Sequence, residues 1–449
     1  MKYSAKIAAI CATTVAFGLL GTADADASTA RRNSLMGNRL VLDREDVFAF
    51  PQLATQYANL VGFDYGGNDE TGNALLIMGD ETGAFGISLH RGNLFASQMY
   101  PYAINNGVLG GPNSPYNGAL SGVNAQTGTI VDVFGGYNIG AGLIGARLVL
   151  GNGGVSQTPA NDAIDESSAG EFYTILQLGY SISGRLALDT ALNIKFSTMS
   201  FEQGDDTTAS GTQFGVGLDA RGFYEMRGPL DIGFVGGLEF SNDGTDNGVG
   251  DAKVSASTTN FGIQAGAGPV WKLNSTRAAV QPVAAQEPAT DAYGTPRPAA
   301  PAAPVASQGD GTTIAGYAML GYRMTSNDPN TDNDNDGSGS SAIVLPGVLL
   351  AADIELLDWL YFRSGAQYRW VIAGASSETA DGDDSISVRG PGATSTGYNN
   401  GFGWSTGLGV KVGDFRFDGT LANNFVLNGP NFIGGGSGFL TTASAEYTW

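Results

Sequence analysis

The sequence predicts an all-β fold: a transmembrane, antiparallel, up-and-down β-barrel of about 16 strands, with 14 as the alternative. Three observations carry this. Many stretches alternate apolar and polar residues, the N-terminus has the pattern of an export signal, and the chain ends on an aromatic residue. The clearest alternating stretch is Leu186–Thr198, whose even positions carry Leu, Leu, Thr, Leu, Ile, Phe and Thr. Its odd positions carry Ala, Asp, Ala, Asn, Lys and Ser. A strand sends alternate side chains to opposite faces, so one face is apolar and the other polar. A tilted strand of about 9–11 residues crosses a bilayer, and this one is long enough.

Residues 1–27 read as a secretory signal peptide. Lys2 and Lys6 precede an apolar run from Ile7 to Leu20, and Ala25-Asp26-Ala27 supplies a small-x-small cleavage pattern. Cleavage there removes Lys2, Lys6, Asp24 and Asp26, so the net charge of −21 is unchanged. It also removes the single cysteine, Cys11, leaving no thiol for a disulfide or a metal site. So acidic a chain argues against a nucleic-acid partner. Beyond the signal no apolar run reaches about 18 residues, so helical spans are not expected. The 68 glycines follow no collagen period. The expected location is the bacterial outer membrane.

Residues 28–56 do not alternate and read as a periplasmic or plug-like segment, with a short helix over Gln52–Asn59. The barrel is expected over 57–449. Its early strands are Leu60–Tyr65, Asn73–Met78 and Gly83–His90, followed by a loop from Arg91 to Gln126. Clearer strands follow at Thr129–Asn138, Gly142–Leu150, Phe172–Ile182, Leu186–Thr198, Thr212–Tyr224, Leu230–Phe240 and Phe261–Leu273. A Pro/Ala-rich insert, 277–308, cannot be a central strand, because proline removes ladder donors. It reads as a spacer, or as a docking segment for a periplasmic partner. Strands resume at Ile314–Tyr322, Val344–Ile354, Leu360–Ile372, Phe402–Val412, Phe415–Leu421 and Phe439–Trp449.

Short connections alternate with long polar ones at Asn152–Gly170, Glu202–Gly211, Ser241–Thr258, Thr325–Ser341, Gly374–Asn400 and Ala422–Gly438. Outer-membrane barrels have short periplasmic turns and long outer loops, which places the Pro/Ala insert on the periplasmic side. The C-terminal Tyr447 and Trp449 resemble the assembly signal that such barrels present to the barrel-insertion machinery. Besides that machinery, the expected partners are outer-membrane lipid and small solutes.

Arg147, Asp189, Lys195, Asp219, Arg221, Asp231, Glu239, Arg363 and Arg369 fall on inward faces. Inward charge suits a water-filled, ion-selective pore. Alternatively, these residues pair across strands and fill a closed barrel. Asp332, Asp334 and Asp336 match the first half of a calcium loop, but position 12 is Ile343 where a bidentate Glu is required. A solvated loop is the plainer reading. The only histidine, His90, shares a face with Ser88, but no third residue marks a triad. Neither an enzyme nor a cofactor is expected.

The stretch Gly37-Asn38, Leu42-Asp43, Asp46-Val47-Phe48, Phe50-Pro51 and Tyr57-Ala58-Asn59 resembles the N-terminal region of uncharacterised outer-membrane barrels distantly similar to the long-chain fatty-acid transporter type. In that type an acidic stretch precedes an Asn-Pro-Ala-Gly turn in a plug. Here the run is Ala49-Phe50-Pro51-Gln52, so Pro51 and the acidic lead-in are what match. The resemblance implies a plugged channel for hydrophobic compounds. The leading expectation is passive passage of small solutes through a polar lumen. Uptake of hydrophobic compounds and a scaffold barrel docking a partner are the alternatives.

Overall fold

A computed structural model of the chain describes residues 29–66, 72–89, 130–157, 167–203, 207–226, 228–249, 252–273, 311–330, 338–377, 385–389, 401–421 and 440–449. The strands are β1 (Leu60–Gly66), β2 (Gly72–Gly79), β3 (Gly83–Leu89), β4 (Ile130–Asn138), β5 (Leu143–Gln157) and β6 (Ser167–Ile182). Next come β7 (Leu186–Gln203), β8 (Thr207–Glu225), β9 (Leu230–Val249), β10 (Ala252–Leu273), β11 (Thr312–Asn330) and β12 (Ser338–Leu357). The last are β13 (Leu360–Ser377), β14 (Ser385–Arg389), β15 (Gly401–Val412), β16 (Phe415–Leu421) and β17 (Leu440–Thr448). Each pairs antiparallel with its sequence neighbour, and β1 pairs with β17, so the sheet closes on itself. β13 also pairs directly with β15, leaving β14 as a side branch on the far end of β13. The closed wall therefore has 16 strands. Closure gives each of these 16 strands a partner on both edges, the condition a sheet must meet in hydrocarbon.

The register is the one that alternation dictates. On β7 the outward Leu192 and Phe196 are 39% and 41% exposed, whereas the inward Asn193 and Ser197 are buried. The same holds on β6, where Leu176 and Leu178 face out and Ile175 and Gln177 face in. Outward-facing Leu, Ile, Phe, Tyr and Trp residues together form an apolar belt around the wall.

Four of the expected outer loops are largely strand. β9 and β10 pair continuously from Leu230↔Trp271 to Val249↔Ala252. β5 and β6, β7 and β8, and β11 and β12 run on in the same way, to Gln157↔Ser167, Gln203↔Thr207 and Asn327↔Ser338. These runs are rich in Thr, Ser, Gly and Asn, which complete a ladder without an apolar face. They therefore carry no period-2 signal. The expected loops at Arg91–Gln126 and Ala422–Gly438 lie outside the described residues, as does the 277–308 insert. That insert connects β10 to β11 at the end of the barrel that also carries the short turns at 183–185 and 413–414.

The N-terminal segment lies inside the wall. It forms α1 (Thr29–Ser34), a first 3-10 helix (Arg44–Phe48) and a second (Pro51–Tyr57). The sequence reading anticipated only the last of these. Ser34 Oγ donates back to the Ala30 carbonyl at 2.7 Å, and the helix ends where Met36 and Gly37 turn left-handed. Asp43 caps the first 3-10 helix and forms a reciprocal box with Asp46. Pro51 sits at the start of the second, where its missing N–H costs nothing. Asn59, at φ +61°, then turns the chain out into β1.

Glycines on the inner wall make room for this segment. A Cβ at Gly145 would overlap the Gln52 backbone, one at Gly365 the Leu35–Met36 peptide, and one at Gly407 the Ser34 side chain. By contrast, among the described residues nothing lies within 4 Å of a Cβ at Gly262. Two apolar clusters seal the rest. Phe48, Phe50, Leu53 and Tyr57 pack on Leu75, Ile77 and Phe134. Leu35, Leu40 and Val41 pack on Val235, Val270, Tyr317 and Leu349.

Gly145→Val should loosen the plug-like segment, at a cost of about 1–3 kcal/mol for the overpacking, and Gly262→Ala should not. Limited proteolysis of residues 43–59 in the folded barrel checks the difference.

Candidate functional site

The inward charges converge on the N-terminal segment and on one another. At the centre, Asp46 Oδ2 lies 2.5 Å from Arg221 Nη1 of β8, and its Oδ1 is 2.9 Å from Arg32 Nη1 of the segment itself. Arg221 also donates to Asp189 of β7 at 2.9 Å. Asp189 in turn accepts from Ser181, which accepts from Gln52 Nε2. The Phe50 ring lies beneath two guanidinium groups, 4.9 Å from Arg221 and 5.7 Å from Arg39. This geometry suits cation–π attraction in a desolvated site.

A second network joins Arg31 of α1 to the wall. Arg31 pairs with Asp353 at 2.7 Å, Asp353 with Arg363 at 3.1 Å, and Arg363 with Asp418 at 2.6 Å. Arg363 is fully buried. A third group lies at the joint of the first and last strands, where Arg44 meets Asp64 of β1 at 2.9 Å and Glu446 of β17 at 3.0 Å. Elsewhere Arg39 pairs with Asp219 at 3.1 Å. Arg147 pairs with Asp132 at 2.7 Å and donates to the Phe48 carbonyl.

The sequence-derived set therefore divides. Arg147, Asp189, Asp219, Arg221 and Arg363 face inward and belong to the networks that hold the segment. Lys195 and Glu239 pair with each other at 2.5 Å, Lys195 reaching across the β8 glycines. Asp231 pairs with Lys272 at 3.2 Å. The Arg369 side chain lies outside the described residues, as do Asp332, Asp334, Asp336 and His90. Among the described residues no group of three potential metal ligands comes together. Tyr447 and Trp449 stack 6.2 Å apart, and Phe415 lies 4.6 Å from Tyr447. The Trp449 amide donates to the Asn59 carbonyl at 3.1 Å, tying the C-terminus to the start of β1.

Sequence reasoning missed Arg31, Arg32, Arg39 and Arg44. Their signal was present: the segment holds four of the chain's 22 basic residues within 14 positions. A water-exposed leader of an acidic protein has no need of that concentration.

Burial pushes the Asp43 carboxyl up to about 7, although Arg32 and Arg31 oppose the shift. Among the described residues its Oδ2 has no hydrogen-bond donor, and Arg31 Nη1 is 4.0 Å away. Burial also works against Asp46, but Arg221 and Arg32 overcome it and hold that carboxyl below its ordinary value.

No protein-family model and no curated protein matches the chain. Among solved structures it matches the ferric citrate transporter FecA in its unliganded form, at 10% identity and a TM-score of 0.30. That match covers 81% of this chain and 65% of FecA, so the chain spans just under two thirds of that protein. The β domain of the Bordetella autotransporter BrkA matches at 10% identity and a TM-score of 0.26, covering 87% of this chain and 98% of that one. The transport unit of the Escherichia coli autotransporter AIDA-I matches at 14% identity and a TM-score of 0.28, covering 68% and 90%. The class rests on the chain's own geometry: a closed 16-strand barrel with its N-terminal segment packed in the lumen.

Arg221→Met should cost about 3–5 kcal/mol, because it strands the buried Asp46 and Asp189 carboxylates. Thermal unfolding followed by electrophoretic mobility reads this. Asp43 gives a pH dependence of known sign. Its carboxyl is raised in the folded state, so the folded protein holds a proton that the unfolded chain has lost between pH ~4 and ~7. Stability from this group falls as pH rises through that window and is level above it. Asp43→Asn keeps a capping side chain and should remove this slope from the pH profile of the unfolding midpoint.

Proposed function

We propose that the chain is an outer-membrane transport barrel held shut at rest by its own N-terminal segment. The carrying observation is Asp46, fixed between Arg32 of the segment and Arg221 of the wall, at the centre of a lumen filled by residues 29–57. A barrel of about 16 strands encloses space for an aqueous channel. Here that space holds packed side chains and paired charges. Solutes pass only when part of the segment moves, and the polar inner wall then faces water.

The apolar belt supports a bilayer location, and the N-terminal pattern of residues 1–27 supports export. Tyr447 and Trp449 fit an assembly-signal role. The inward charges take on a second duty in this reading. They hold the segment at rest, and they line the path once it shifts. Uptake of hydrophobic compounds is a second reading, favoured by one observation: Ile130, Val149, Tyr173 and Ile175 form an apolar cluster on the inward face of β4–β6. That reading predicts lipid or detergent retained inside the purified barrel, visible by native mass spectrometry.

Planar-bilayer recording tests the leading reading. The intact chain should be silent or open briefly, and deletion of residues 29–40, which removes Arg31, Arg32 and Arg39 and keeps Arg44, should give a steady conductance. A deletion variant that is correctly folded and still silent would overturn it.

A further inference from the structure

We infer that Arg44 latches the seam of the barrel, so that seating of the N-terminal segment and closure of the wall are one event. The seam is the β1–β17 pairing, which joins strands from opposite ends of the chain through the register Gly62↔Glu446 and Asp64↔Ser444. Every other pairing of the closed wall joins strands nearer in sequence. Arg44 belongs to neither seam strand, yet it pairs with a carboxylate on each. Its Nη2 donates to both Asp64 oxygens, at 2.9 and 3.0 Å, and its Nε lies 3.0 Å from Glu446.

The site is shaped for a guanidinium. A Cβ at Gly62 would overlap the Arg44 guanidinium, so a side chain facing Glu446 across the seam would displace it. Arg44 is 0% exposed, and Asp64 and Glu446 are buried with it. A planar fork can engage two carboxylates at once, whereas an ammonium is a point charge. Without Arg44, two buried carboxylates on adjacent strands would lose their shared cation and repel each other across the joint. Next to the latch, Thr29 N donates to Asp64 Oδ1 at 3.3 Å and Ala30 N to Ser444 Oγ at 3.1 Å. The start of the segment thus rests on the same two strands.

The inference stands whether or not the barrel transports. If it does, a movement that opens the lumen while keeping the wall closed must leave Arg44 seated.

Hydrogen exchange on the full-length folded protein tests it, with Arg39→Met as the comparison, because Arg39 pairs with Asp219 on β8, away from the seam. In Arg44→Met, amides of residues 60–66 and 440–448 should exchange on the order of ten-fold faster than in the parent protein. Arg39→Met should leave them unchanged. Arg44→Lys should restore protection only in part. Equal acceleration in both Met variants, or none at the seam in Arg44→Met, would overturn the latch. Should Arg44→Met fail to assemble, the parent protein decides. At rising sub-denaturing urea its seam amides and those of residues 43–46 must open together. Seam opening that leaves 43–46 protected rules the latch out.

Discussion

Pairing of buried charge between the N-terminal segment and the wall is the interaction on which the rest of this structure depends. A closed sheet of 16 strands solves its own backbone hydrogen bonding, but it leaves a wide interior with no core. Here the interior is filled by about thirty residues that bring four arginines and three acids into a wall rich in both signs. Each charge so buried needs a partner, because an unpaired one costs several kcal/mol. The pairs Asp46–Arg221, Arg31–Asp353, Arg39–Asp219 and Arg44–Asp64 meet that need on three strands of the wall, β8, β12 and β1. They fix the segment's position more narrowly than apolar packing could, since an apolar face tolerates sliding and a fork between two carboxylates does not.

The wall was legible in the sequence because its physics is periodic. Lipid demands an apolar face and the lumen a polar one, and β7 displays both, with Leu192, Ile194 and Phe196 against Asn193 and Lys195. All 16 strands of the closed wall lie where alternation places them, including the weak early ones at β1–β3. The extension of β5–β13 past the belt was illegible for the matching reason. Where neither face meets lipid, no alternation is imposed, and paired strands such as Asp243–Val249 read as loop.

The site was legible only in half. Alternation identifies which face a residue takes, and Arg147, Asp189, Arg221 and Arg363 were placed inward by it. It does not say what covers that face. Water and a packed segment impose the same polar pattern, so an open pore and a plugged one look alike along any single strand. The distinction was written elsewhere, in two features without a period. One is the crowding of Arg31, Arg32, Arg39 and Arg44. The other is glycine at inward positions such as Gly62, Gly145, Gly365 and Gly407, where a lumen open to water would tolerate side chains.

The Lys195–Glu239 pair differs from the others in what it joins. Its two ends come from β7 and β9, so it joins wall to wall across β8. Along β7 it lies beyond Asp189 and Ala191, the positions that meet the segment's networks and packing, on the side of the long hairpins. Displacing the segment would unpair Asp46, Arg39 and Arg31 from the wall and change the charge of the lower lumen. It would leave Lys195 and Glu239 paired as they are. The two sets of pairs therefore stand differently to any movement of the segment: Asp46–Arg221, Arg39–Asp219 and Arg31–Asp353 reach from the segment to the wall and change with it, whereas Lys195–Glu239 joins wall to wall.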